Sequence, residues 1–178
     1  MKPLKMIFVA LGILIAIPLI AALFMEKDYV IEREVTIQKP RQMVFEYLKY
    51  LKNQNNWSTW NRMDPNMKHT YRGTDGNVGF VAAWESDKMG NGEQEILKIT
   101  EGERVDAELR FKGMFASKAP VYLSTEMVSD SSTTVKWVMR GRMSYPINFM
   151  QVFVSMEDMI GTEYEKSLLN LKGILEKQ

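Results

Sequence analysis

Between Phe149 and Leu175 the apolar residues Phe153, Met156, Ile160, Tyr164, Leu168, Leu171 and Leu175 recur at steps of three or four. That spacing places them on one stripe of a helix. The opposite side carries Glu157, Asp158, Glu163, Glu165, Lys166, Asn170 and Lys172. One long amphipathic helix at the end of a chain must bury its stripe against something. The segments before it read as strands, so the expected partner is the face of a sheet.

Those strands follow from alternation. Val105, Ala107, Leu109 and Phe111 alternate with Asp106, Glu108, Arg110 and Lys112, the pattern of a half-buried strand. Tyr29–Ile37 is rich in β-branched residues. Further strands are expected over Met67–Arg72, Val78–Glu85, Glu93–Thr100, Pro120–Val128 and Thr133–Arg142. They are separated by Gly73–Asn77, Gly90-Asn91-Gly92, Glu101-Gly102-Glu103 and Asp130-Ser131-Ser132, which carry turn residues. Closely spaced hairpins of this kind predict one antiparallel sheet, curved by its twist. Two short helices precede the meander: Gln42–Lys49, opened by Pro40, and Asn55–Asn61, with Trp57 and Trp60 on one side. The fold class is α+β.

A second feature lies at the other end. Residues 6–25 contain no charged side chain. At 1.5 Å per residue, about 20 apolar residues span the roughly 30 Å hydrocarbon core of a bilayer. Pro18 is tolerable in such a helix. The competing reading is a cleaved signal peptide ending at Ala22; the long apolar run and Ile20 favour an uncleaved anchor. The division is therefore residues 1–27 as anchor and 28–178 as one domain. Lys2 and Lys5 ahead of the run resemble a signal-anchor start, which leaves the N-terminus cytoplasmic and the domain outside the cytoplasm at the cell membrane. Lys27, Arg33, Lys39 and Arg41 just behind it weigh the other way.

Bulk composition excludes several functions. The net charge of +1 gives no reason to expect nucleic acid. With no cysteine and one histidine, His69, thiolate chemistry is excluded and a histidine-based metal site or triad is not expected. No cofactor or metal is expected. Gly90-x-Gly92 lacks the third glycine and following helix of a dinucleotide loop. Lys136, Arg140 and Arg142 alternate and form either a solvated outer face or a headgroup contact. Fourteen methionines suit either core filling or an adaptable apolar surface.

The order strand, two small helices, six strands, long helix resembles the START-like helix-grip (SRPBCC) superfamily. It looks closest to the polyketide cyclase/dehydrase and lipid-transport family, in a membrane-anchored single-domain form. The likeness rests on Val35-Thr36-Ile37-Gln38-Lys39-Pro40 with Val44-Phe45, Trp57-Ser58-Thr59-Trp60, Met63-Asp64-Pro65-Asn66-Met67, Val78 to Glu85, Thr134-Val135-Lys136-Trp137, and Phe149 with Ile160-Gly161. It implies a seven-stranded sheet gripping the last helix, with an apolar cavity between them.

Trp57, Trp60, Phe80, Trp84, Ala107, Phe111, Trp137, Phe149, Phe153, Met156, Ile160 and Tyr164 are the expected cavity lining. Their alternative role is packed core. Three functions remain open. The first is a membrane-tethered module that holds a lipid or other apolar small molecule. The second is a cyclase/dehydrase-type enzyme using a polar group in the cavity, against which no acid–base pair stands out. The third is a structural or stress-response partner of a membrane complex, which an exposed apolar patch would favour.

Overall fold

The structure, a computed structural model, describes residues 2–113 and 116–178, with side chains from residue 5. The Lys2 side chain thus lies outside the described residues. The chain opens with helix α1 (Lys2–Phe24), whose Lys5–Phe24 stretch is long and apolar enough to cross a membrane. Strand β1 (Asp28–Ile37) follows, then helix α2 (Arg41–Leu48), a 3-10 turn (Leu51–Asn53) and two one-turn helices, α3 (Gln54–Trp57) and α4 (Trp60–Met63). Strands β2 (Lys68–Arg72), β3 (Val81–Glu85), β4 (Gly92–Thr100), β5 (Arg104–Phe111), β6 (Ser117–Ser129) and β7 (Ser132–Arg142) form the meander. A second 3-10 segment (Ile147–Val152) leads into helix α5 (Met156–Leu175).

All seven strands form one curved antiparallel sheet in the order β1-β7-β6-β5-β4-β3-β2. Helices α2 to α4 carry the chain from the β1 edge to the β2 edge. Successive hairpins then return it to β1, where Val35 pairs with Val135 and Ile31 with Met139. One face of the sheet gathers Ile31, Val135, Trp137, Met139, Val121 and Ala107, all buried. Against it α5 lays Tyr164, Leu168, Leu171 and Leu175, also buried. Each fully buried leucine contributes about 1.5–3 kcal/mol. A second buried cluster, Phe45, Leu51, Phe80, Ile96 and Val105, joins α2 and the first 3-10 turn to the far half of the sheet.

Three departures from the sequence reading have identifiable causes. The helix expected over Asn55–Asn61 is broken at Ser58, whose backbone is extended at φ −69°, ψ 126°. The break is held by α5: Ser167 Oγ accepts from the Thr59 N–H at 2.9 Å, and Asn170 Nδ2 donates to the Trp57 carbonyl at 3.1 Å. Strand β3 starts at Val81 because Gly79 takes φ +85°, a left-handed conformation that ends extended pairing. The last helix starts at Met156, not Phe149. Ser155 caps it, its Oγ accepting from the Asp158 N–H at 3.1 Å, with Glu157 and Asp158 complementing the helix dipole in the first turn.

On the outer face the basic alternation is largely neutralised. Lys136 pairs with Glu32 at 2.8 Å and Arg142 with Asp28 at 3.1 Å. Arg110 is shared among Glu93, Glu95 and Glu108, which hold its guanidinium firmly in the charged form.

Candidate functional site

Between the concave face of the sheet and the first turns of α5 lies a cavity of about 290 Å³, at the small end of the range for ligand pockets. Its floor is aromatic. Trp137 of β7 stacks on Tyr164 of α5, with centroids 3.7 Å apart. Trp57 meets Trp137 edge-on from behind at 5.1 Å. Ile160 and Met159 on α5, Met139 on β7, and Trp84 and Phe111 on the far strands complete the apolar wall.

Two glycines shape this space. Gly141 lies opposite Tyr29 in the β1–β7 register, and a Cβ there would sit 2.1 Å from the ring Cζ. Gly92 lies opposite Trp84 in the β3–β4 register, and a Cβ there would sit 2.3 Å from the indole Cζ2. Both rings therefore lie down across the sheet instead of standing in the cavity. Gly92, read from the sequence as part of a turn, is the first residue of β4 and serves this purpose, while Gly90 makes the turn at φ +71°.

Of the residues assigned to the lining from sequence, Trp60, Trp84, Phe111, Trp137, Ile160 and Tyr164 face the cavity. The others do not. Trp57 is sealed in the main core, because the break at Ser58 sends it and Trp60 to different places. Phe80 belongs to the second cluster, where α2 and Leu51 cover it. Ala107 is packed in the main core, in register with Ile96 and Val121. Phe149 and Phe153 precede the cap at Ser155, so the helical stripe does not extend to them. They contact each other edge-on at 5.6 Å, and Phe153 is 71% exposed. Met156, at the first position of α5, packs on the core cluster beside the cavity.

Sequence reasoning missed Tyr29, Gln54, Gln94 and Met159, which also line the space. A signal for Gln94 exists in the strand register: it lies between Ala82 and Leu109, both cavity residues. His69, named above as the only histidine, also lines the cavity. Burial pushes its imidazole below the usual range, so it is neutral at physiological pH. Burial also raises the Tyr29 and Tyr164 phenols, which stay protonated. Among the described residues no Asp or Glu lines the cavity. Among them, too, no group of three His, Asp or Glu side chains is placed to hold a metal ion. The Nε2 of Gln54, a buried residue, and the buried Trp137 Nε1 have no hydrogen-bond partner among the described residues.

No protein-family model matches the sequence, and no curated protein matches it either. Solved structures do match in three dimensions. Norcoclaurine synthase from Thalictrum flavum, in complex with dopamine and hydroxybenzaldehyde, superposes with a TM-score of 0.62 at 8% identity, over 85% of this chain and 88% of that one. The Aha1 protein from Colwellia psychrerythraea, solved as a dimer, gives 0.56 at 14% identity, over 83% and 96%. Ara h 8.0201 gives 0.56 at 12% identity, over 85% and 99%. The fold is the helix-grip fold. These neighbours belong to the SRPBCC helix-grip superfamily, and at such identities the likeness is one of architecture alone. In a helix-grip domain the sheet curves around the last helix, and here the space left between them is the cavity just described.

Proposed function

We propose that this protein is a membrane-tethered binding module that holds an apolar small molecule, a lipid or similar compound, between its sheet and helix α5. The observation that carries the reading is the cavity itself, with Trp137 and Tyr164 at the floor and a predominantly apolar lining. Burial of apolar ligand surface would drive binding at about 25 cal/mol per Å² removed from water. Gln54, Gln94, Ser58 and His69 are among the polar lining residues that would orient the ligand, and Lys118 and Arg142 add two cations to the lining. The norcoclaurine synthase complex with two aromatic compounds is consistent with small-molecule binding in this architecture.

The proposed division is anchor 1–27 and domain 28–178, with the anchor uncleaved, the N-terminus cytoplasmic and the domain outside the cytoplasm. The burial of Ala22 against the domain supports retention of α1. Native mass spectrometry of gently extracted full-length protein tests the binding reading. A co-purifying apolar mass that disappears in Trp137→Ala supports it; an empty chain that also takes up no added apolar ligand overturns it. A reporter fused after Gln178 that is active only in the cytoplasm contradicts the orientation.

One observation favours a second reading, the cyclase/dehydrase-type enzyme: the neutral imidazole of His69 in the cavity can accept a proton. It has no carboxylate beside it among the described cavity residues. Turnover of a bound compound that stops in His69→Gln, with binding retained, would establish that reading over the first.

A further inference from the structure

The chain has a second uncharged run. From Met143 to Met156 there is no Asp, Glu, Lys or Arg, and the structure places this run beside the end of α1. Asn148 is fully buried, and its Nδ2 donates to the Ala22 carbonyl at 2.7 Å and to the Met25 carbonyl at 3.3 Å. Gln151 Nε2 donates to the Glu26 carbonyl at 3.0 Å, and the Met143 N–H to the Lys27 carbonyl at 2.7 Å. The run is thus clamped across residues 22–27, where the uncharged stretch of α1 meets its first charges, Glu26 and Lys27. The last carbonyls of a helix have no partner of their own. Supplying them from Asn148 matters most where water is excluded, as at the edge of a hydrocarbon layer.

While Asn148 turns inward, its neighbours turn out. Ile147 is 44% exposed, Met150 49%, Val152 58% and Phe153 71%. Met159, on the rim of the cavity, is 50% exposed and follows on the first turn of α5. An apolar, uncharged surface fixed to the end of an apolar helix lies at the depth where that helix leaves the bilayer.

We infer that the segment Met143–Met156 is a second membrane-contacting element, embedded in the interfacial layer of the bilayer that α1 crosses. The cavity rim at Met159 then opens beside that layer. An apolar ligand can pass between bilayer and cavity without crossing bulk water. This inference rests on the proposed membrane anchor and specifies how the domain sits on the membrane.

The absence of cysteine allows single labelled positions in the full-length chain. Val152→Cys and Phe153→Cys carry an environment-sensitive fluorophore, as do Leu14→Cys on α1 and the exposed Val78→Cys on the distal hairpin. Each protein is reconstituted into phosphatidylcholine vesicles, with spin-labelled lipid as one quencher and iodide as the other. The expected result is lipid quenching and a blue-shifted emission at residues 152, 153 and 14, with iodide quenching only at 78. Lipid quenching at 14 alone, with iodide reaching 152 and 153, overturns the inference and leaves the anchor intact. Protection of 152 and 153 from both quenchers also overturns it, since another protein chain then covers the surface. No lipid quenching at 14 removes the anchor and the inference together.

Discussion

The Trp137 indole lies flat on the Tyr164 phenol, ring centroids 3.7 Å apart and planes 6° from parallel, so β7 and α5 meet through one aromatic stack. The same pair forms the floor of the cavity. Contacts that hold the helix on the sheet and contacts that would receive a ligand are therefore shared. Mutations at this junction should separate by whether they remove the ring or only its polar atom.

Tyr164→Ala deletes one ring of the stack and leaves a void. Aromatic-to-alanine changes in cores typically cost about 3–5 kcal/mol. Tyr164→Phe keeps the ring and should cost no more than about 1.5 kcal/mol. Thermal melts of the purified full-length variants should rank them in that order, and equal losses would show that the stack does not hold the helix.

Ala82 and Ala107 lie on the same face of the sheet but in different surroundings. Ala107 is packed, so Ala107→Trp should overfill the core and cost about 1–3 kcal/mol or more. Ala82 lines the cavity, so Ala82→Trp should occupy it, with a smaller loss of stability and no co-purifying ligand. A melt and a native mass spectrum of each protein check both halves of this contrast.

Ser167 is fully buried, donates to the Glu163 carbonyl at 2.7 Å and accepts from the Thr59 N–H at 2.9 Å. Ser167→Ala leaves that N–H without its acceptor at the junction of α3 and α4. The expected cost is about 1–3 kcal/mol. It should appear as a lower denaturant midpoint with an unchanged slope.

Asp64 is buried and accepts from Ser86 Oγ at 2.6 Å and from the Asn66 N–H at 3.0 Å. The Ser86 hydroxyl first, then the Asn66 amide, holds its carboxyl below the usual carboxylate range. A folded-state pKa below the unfolded one means the contribution is fully present above the ordinary value. It is lost as pH falls from roughly 4 through the depressed value. Asp64→Asn should therefore lower the melting temperature at neutral pH and flatten its decline in acid. An unchanged acid limb in that variant would show that other groups govern it.

Asn148→Ala removes the donor to Ala22 and Met25 without adding bulk. Hydrogen exchange across Ile147–Val152 should become faster than in the parent, with α5 beyond Gly161 unaffected. Unchanged exchange in the 3-10 segment would mean that Asn148 does not fasten it to α1.

The strands, the C-terminal stripe and the membrane-length helix could all be read from the chain. Alternation at Val105–Phe111 and the three-and-four spacing from Met156 to Leu175 are local consequences of backbone geometry, which each segment carries by itself. The turn residues at Gly73, Gly90 and Gly102 are local in the same sense, each taking positive φ. The lining of the cavity is not local, because facing inward and facing open space are different properties. Phe80 and Ala107 are on the concave face like Trp84 and Phe111, yet other elements lie over them. Trp57 and Trp60 are three residues apart and part company at Ser58, a break that α5 holds from more than a hundred positions away. Phe153 keeps the spacing of the stripe but precedes a cap, so its ring turns outward. Periodicity assigns each side chain to a face; only the packing of distant elements determines which parts of that face are filled and which stay open.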